Sequence, residues 1–378
     1  MRRLASWIVL PTLVATLLSG CGESEPDAAP EPEPEDTSSA PAETASPTPT
    51  ESPSAARSAR PRVIDTVAKD LEVPWGIAFL PDRSALVTER DSGRVLQVKG
   101  RQVSEVGRVD EAEPGGEAGL LGVAVSPSYA DSGRVFFYAT TAEDNRVFRT
   151  TFRNGRLGAL EPILTGIPRN SFHDGGRMIF GPDGMLYVST GEAGQPDLAQ
   201  DRGSLGGKVL RITEAGKPAP GNPDRSSPIW TWGHRNVQGL AFDDADNLWA
   251  SEFGQDSFDE LNLIRKGRNY GWPMVEGRGE QSGLTNPQVT WATDDNSPSG
   301  LAFVGGRLWL GALKGERLWR IDVDGAEARD EKGFFVGDYG RVRTVVTAPD
   351  GNLWVTTSNR DGRGDPASDD DRILLVRP

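Results

Sequence analysis

The chain has 378 residues, a formal net charge of −14, one cysteine and two histidines. A single cysteine excludes an internal disulfide framework. An acidic balance with no basic block excludes a nucleic-acid-binding surface.

Residues 1–21 read as an export signal. Arg2 and Arg3 supply its positive start, and the apolar core from Trp7 to Leu18 is shorter than the about 20 residues of a spanning helix. The core ends in Leu18-Ser19-Gly20-Cys21, which looks like a bacterial lipobox. That reading makes Cys21 a lipidation site. It predicts an extracytoplasmic protein, tied to the bacterial cell membrane only through this lipid. Residues 22–62 are mostly Pro, Glu, Ser, Thr and Ala, and 22–56 hold nine acidic residues and no basic one. Such a segment buries too little apolar area to offset its ordering entropy, so an extended, disordered tether is expected.

Residues 63–378 carry one pattern six times. Pro74–Asp82, Gly119–Pro127, Arg177–Gly184, Gln238–Asp243, Ser299–Phe303 and Arg343–Gly351 each read as a strand and a turn, and a second strand follows. Pro presets the φ of such turns and Gly supplies positive φ. Third strands follow at Arg94–Val98, Lys208–Ile212 and Arg317–Ile321. Short strands at this repeat length predict an all-β, six-bladed β-propeller of four-stranded blades. The strand-like run Arg62–Val67 lies before the first repeat, and Arg372–Val376 ends the last. Pairing the N-terminal strand with the C-terminal blade would close the ring and cover its edge.

Propeller loops at one end of the channel converge. Glu117, His173, Arg235, Asn236, Arg341 and Arg343 lie on or beside loops entering innermost strands, and Lys314 follows the second strand of the fifth repeat. Histidine titrates near neutral pH and suits proton transfer. Clustered cations imply a ligand bearing several carboxylates or phosphates. A second constellation, Ser251–Glu260 followed by Asn269–Pro273, combines carboxylates with Gly-kinked carbonyls. It suits a hard cation such as Ca²⁺, and equally a solvated acidic loop. The run Asp369–Asp371 reads as a hairpin tip.

Several motifs carry a family resemblance: Gly119-Leu120-Leu121-Gly122, His173-Asp174-Gly175-Gly176-Arg177, Gly233-His234-Arg235-Asn236, Asp259–Ile264 and Asn269-Tyr270-Gly271-Trp272-Pro273. Over about residues 70–378 the chain resembles the soluble quinoprotein glucose dehydrogenases and aldose sugar dehydrogenases. These six-bladed propellers use pyrroloquinoline quinone (PQQ) and calcium. The resemblance implies oxidation of an aldose at C1 to the lactone, with electrons passed to an external acceptor, a quinone or a cytochrome. His173 resembles the general base and Glu192 the acid that orients it. Arg235 and Asn236 resemble residues beside the quinone, with Arg235 also stabilising charge on it. Lys314, Arg341 and Arg343 resemble the cations that hold PQQ. The carbonyls of Gly254 and Gln255 resemble ligands of the cofactor's calcium, and Glu260 with the Tyr270 carbonyl a second calcium site. His234 is left a structural role. Gln255 stands where the family usually has Pro, and Glu117 where an amide often contacts substrate. Short loops before Trp291 imply a more open cleft and broader specificity. The alternatives are a calcium-dependent lactonase-like hydrolase and a non-catalytic binding propeller.

Overall fold

The structure is a computed structural model describing residues 60–378; the expected export signal, most of the expected tether and the expected lipidation site Cys21 lie outside the described residues. The described residues form six antiparallel sheets. The second sheet gains a two-residue strand, Arg156–Leu157, at its outer hairpin. Among the described residues, helix is confined to one turn at Tyr129–Ser132 and a 3-10 turn at Pro196–Ala199. The innermost strands of blades one to six are Pro74–Phe79, Leu120–Val125, Met178–Phe180, Val237–Phe242, Pro298–Val304 and Val342–Thr347. Each blade then builds outward in chain order.

Blade six takes its outermost strand from the other end of the body. Arg62–Ala68 pairs antiparallel with Ile373–Arg377, from Arg62 opposite Arg377 to Ala68 opposite Ile373. The strand opens at Arg62, inside the stretch expected to be tether, because a backbone ladder is indifferent to a polar side chain. The expected closure is therefore present.

The core is divided among the blade junctions. Phe136 and Tyr138 of blade two pack with Leu186 and Val188 of blade three. Trp249 of blade four packs with Leu308 and Leu310 of blade five. Trp354 and Ile373 of blade six pack with Val87 and Leu96 of blade one, so the ring also closes through apolar contact.

Near the axis the junctions are too tight for side chains. A Cβ on Gly122 would lie 2.1 Å from the Gly176 carbonyl oxygen of the next blade. Hydroxyls stitch the same region. The Gly76 N–H donates to Thr88 Oγ1 at 2.8 Å, and that hydroxyl donates to the Leu121 carbonyl of blade two at 2.5 Å. Arg177 N–H, Ser189 Oγ and the Val237 carbonyl repeat the relay between blades three and four. Five of the inner strands carry a register irregularity here. In blades one and six that leaves a backbone N–H free for the hydroxyl.

Deleting residues 60–68 removes a whole edge ladder, whose bonds contribute about 1 kcal/mol each. The truncated protein should melt at least about 10 °C below the full chain in calorimetry. An unchanged midpoint would contradict closure by this strand.

Candidate active site

The loops preceding the inner strands of blades two, three and four are tied together through their backbones. His173 sits at φ 59°, a region that non-glycine residues enter mostly where surrounding structure holds them. Gly191 allows the approach, since a Cβ there would lie 1.9 Å from the His173 carbonyl oxygen. That oxygen accepts the Ala193 N–H at 3.1 Å. Asp174 braces the loop from below, its Oδ1 accepting from Asn170 N–H and Asn145 Nδ2. Burial pushes the Asp174 carboxyl up to about 7.

His173 Nδ1 lies 2.7 Å from Glu192 Oε1. Glu192 is buried at 1% exposure. With the carboxylate as acceptor, the imidazole proton resides on Nδ1 and Nε2 is left with its lone pair. Glu117 Oε2 accepts the His173 N–H at 3.2 Å and faces Asn236 Nδ2 at 3.4 Å. Asn236 is buried, and its Oδ1 accepts the Gly175 N–H at 3.1 Å. The amide of Asn236 is thus engaged in fixing the histidine loop. Phe172, 40% exposed, stands edge-on to the imidazole with ring centroids 4.7 Å apart.

The cations divide into two kinds. Arg235 lies over the Trp272 ring at 5.5 Å, and its buried Nε has no acceptor. Burial draws its pKa down, against the pull of Glu192, Glu117, Glu276 and Glu252. Arg341 and Arg343 are buried and converge on Asp361, at 3.0 and 3.2 Å. Arg343 also donates to Ser358 Oγ and Gln238 Oε1. Lys314 remains exposed and pairs with Asp294.

Four residues of this region escaped the sequence reading. Asp361 is the internal anion among the guanidiniums; in Ser358-Asn359-Arg360-Asp361-Gly362 it has the look of a solvated loop residue. Arg90 is buried beside Asp91, with Nη1 lacking an acceptor. Arg177, inside a quoted motif, spans the channel, lying over Trp75 at 4.1 Å and donating to the Gln238 carbonyl. Burial and Arg343 draw the Arg177 guanidinium down to about 9. Arg363 faces Glu117 at 3.4 Å across the site.

On blade four, Glu252, Glu260, Glu276, Gly254 and Tyr270 line a void of about 10 Å³, room for one water-sized species. Burial and neighbouring Glu252 push the Glu260 carboxyl up to about 8. Among the described residues no three His, Cys, Asp or Glu side chains converge into a metal cage. A cation here would therefore need backbone carbonyls beside the two buried carboxylates, Glu252 and Glu260, and would share the void with Arg235. His234 is fully satisfied by Glu252 at 2.8 Å and Thr231 at 2.9 Å, and it stacks on Tyr270. The run Asp369–Asp371 lies in the hairpin connection between Leu353–Thr357 and Ile373–Arg377, where Asp370 and Asp371 are buried and accept bonds from Asn359.

A carboxylate-held imidazole and clustered guanidiniums thus accompany a six-bladed ring. Residues 71–375 match the Glucose / Sorbosone dehydrogenase family, and the chain belongs to it. It is 31% identical over 337 residues to aldose sugar dehydrogenase YliI of Escherichia coli, covering 79% of this chain and 91% of that one. It is 32% identical over 272 residues to quinoprotein glucose dehydrogenase B of Acinetobacter calcoaceticus, covering 61% and 57%. The solved PQQ-bound form of aldose sugar dehydrogenase from Streptomyces coelicolor superposes with a TM-score of 0.82 at 50% identity, covering 84% and 97%. The protein is thus an oxidoreductase of the sugar dehydrogenase class.

Replacing Asp361 with Asn leaves two buried guanidiniums without their carboxylate, a change that costs about 3–5 kcal/mol. Denaturant unfolding of Asp361→Asn at pH 7 should show that loss. Burial opposes ionisation of Asp361, but Arg343 and Arg341 outweigh it and hold the carboxyl below its ordinary range. Its contribution is therefore complete above the unfolded value, about 4, and fades as pH falls through the lower folded value. The gap between variant and wild type should narrow in strong acid; a constant gap would contradict the pairing.

Proposed function

We propose that the protein oxidises aldoses at the anomeric C1 hydroxyl to the lactone, using PQQ held with calcium and passing electrons to an external quinone or cytochrome. The observation that carries this reading is the His173–Glu192 pair at 2.7 Å, set among guanidiniums in a propeller of this family. Bound PQQ would supply the two-electron acceptor. Every other task falls to the chain. Arg235 Nε and Arg90 Nη1, buried donors without acceptors, fit an anionic group lying over the channel. Lys314, exposed and paired with Asp294, is proposed as a further cation for that group; Arg341 and Arg343 supply positive potential with Asp361 between them. The Gly254 and Gln255 carbonyls would ligate the cofactor's cation, and Glu260 with the Tyr270 carbonyl a second one.

His173 Nε2 takes the hydroxyl proton, and Glu192 stabilises the imidazolium that results while fixing the ring's orientation. Glu117 supplies a carboxylate that can accept sugar hydroxyls beside His173, and Phe172 offers an apolar face for the ring. We further propose, from the N-terminal sequence alone, that residues 1–21 direct export and that lipid on Cys21 anchors the protein to the membrane, so that the sugar is met outside the cytoplasm.

General-base assistance is worth roughly 10²–10⁴-fold. His173→Ala should lower kcat with glucose by about that range while PQQ uptake, followed by absorbance, stays within about twofold of wild type. Turnover near the wild-type rate would remove His173 from the chemistry.

A further inference from the structure

One carboxylate oxygen organises the loop whose carbonyls are the cation ligands proposed above. Glu276 Oε1 accepts the N–H groups of Gln255, Asp256, Ser257 and Phe258 at 2.7, 3.0, 2.9 and 3.1 Å. Four successive amides thus face a single atom. In a planar trans peptide the carbonyl points opposite to the N–H. The Gly254 carbonyl therefore points away from Glu276, because it shares a peptide plane with the Gln255 N–H. The same holds for the Gln255 carbonyl and the Asp256 N–H.

The inside of the loop leaves no slack. A Cβ on Gly254 would lie 1.9 Å from the Phe258 carbonyl oxygen and 2.7 Å from Glu276 Oε1. Asp259 Oδ1 holds the Gly254 N–H at 2.8 Å, and its Oδ2 reaches the Ser297 N–H of the next blade at 2.6 Å.

The departure at position 255 gains a physical meaning. Proline fixes φ and carries no N–H. Glutamine gives up that rigidity and gains an N–H, and here this N–H is bonded to Glu276. We propose that Glu276 is a positioning residue for the cofactor's cation, holding the 254–258 loop so that the Gly254 and Gln255 carbonyls stay aimed outward in place of the stiffness a proline would give. The proposal rests on the PQQ and calcium reading above.

The test uses the full chain stripped of PQQ. PQQ uptake is followed by absorbance across a calcium chloride titration, and hydrogen exchange of amides 255–258 is measured before PQQ is added. Glu276→Ala should raise the calcium concentration for half-maximal uptake about 10- to 100-fold, as loss of groups that orient metal ligands does. It should also speed exchange of those four amides. Glu276→Gln, which keeps an acceptor oxygen, should fall between. Gln255→Pro in the Glu276→Ala background should bring the calcium requirement back toward wild type. An unchanged requirement and unchanged exchange in Glu276→Ala and Glu276→Gln would overturn the proposal. Wild-type protein that takes up no PQQ at any calcium concentration would instead sink the cofactor reading, and this inference with it.

Discussion

Six twisted sheets can share one axis only if their innermost backbones come into contact. That constraint governs the rest of this molecule. At Gly122 the next blade's carbonyl occupies the space a side chain would need. Where the strands meet, hydroxyls such as Thr88 and Ser189 accept a backbone N–H and donate to the neighbouring blade. Apolar layers between blades supply the larger share of the folding free energy, but they are non-directional. The close backbone approach fixes where each inner strand begins, and so where each preceding loop emerges. His173, Arg235 with Asn236, and Glu117 come together because three such loops emerge at adjacent corners of one ring.

Charge is the second organising influence. Arg90, Arg177, Arg341 and Arg343 are buried around the channel, and among the described residues Asp361 is the fully buried carboxylate that meets two of them. Burying a guanidinium is costly unless it is paired. The arrangement holds because Asp361 is shared and because Arg177 finds backbone carbonyls and the Trp75 face. The unmatched donors that remain, on Arg235 and Arg90, mark where positive charge stays available to a ligand. Carboxylates on blade four show the converse: Glu252, Glu260 and Glu276 border one small void, with the Arg235 guanidinium on the same wall.

Much of the ring was legible because the second strands of the blades are buried on both faces. Leu186–Ser189 and Ala85–Glu89 are buried throughout, and their apolar runs stood out. The outermost strands did not. Gln102–Arg108 and Glu327–Phe334 are largely exposed, so they carry no alternation to read. Lys208 also defies its pattern: in a strand it reads as a solvent-facing cation, yet it is buried with its ammonium on the carbonyls of Leu198, Ala199 and Gly206. Within the site, His173 was legible as one of two histidines at loop–strand junctions beside Gly and Arg, and Glu192 through the family resemblance alone. Asp361 and Glu276 were not, since their roles arise from partners far along the chain or from backbone amides, which leave no sequence signature.

The account comes down to a propeller mouth that holds an anionic redox cofactor against a carboxylate-oriented imidazole. Anaerobic titration of the purified protein with PQQ and calcium chloride, followed by addition of glucose, tests this most directly. The account predicts saturable uptake at one PQQ per chain and prompt bleaching of the oxidised quinone absorbance by the sugar. Uptake that does not saturate, or a bound quinone that glucose leaves oxidised, would contradict it.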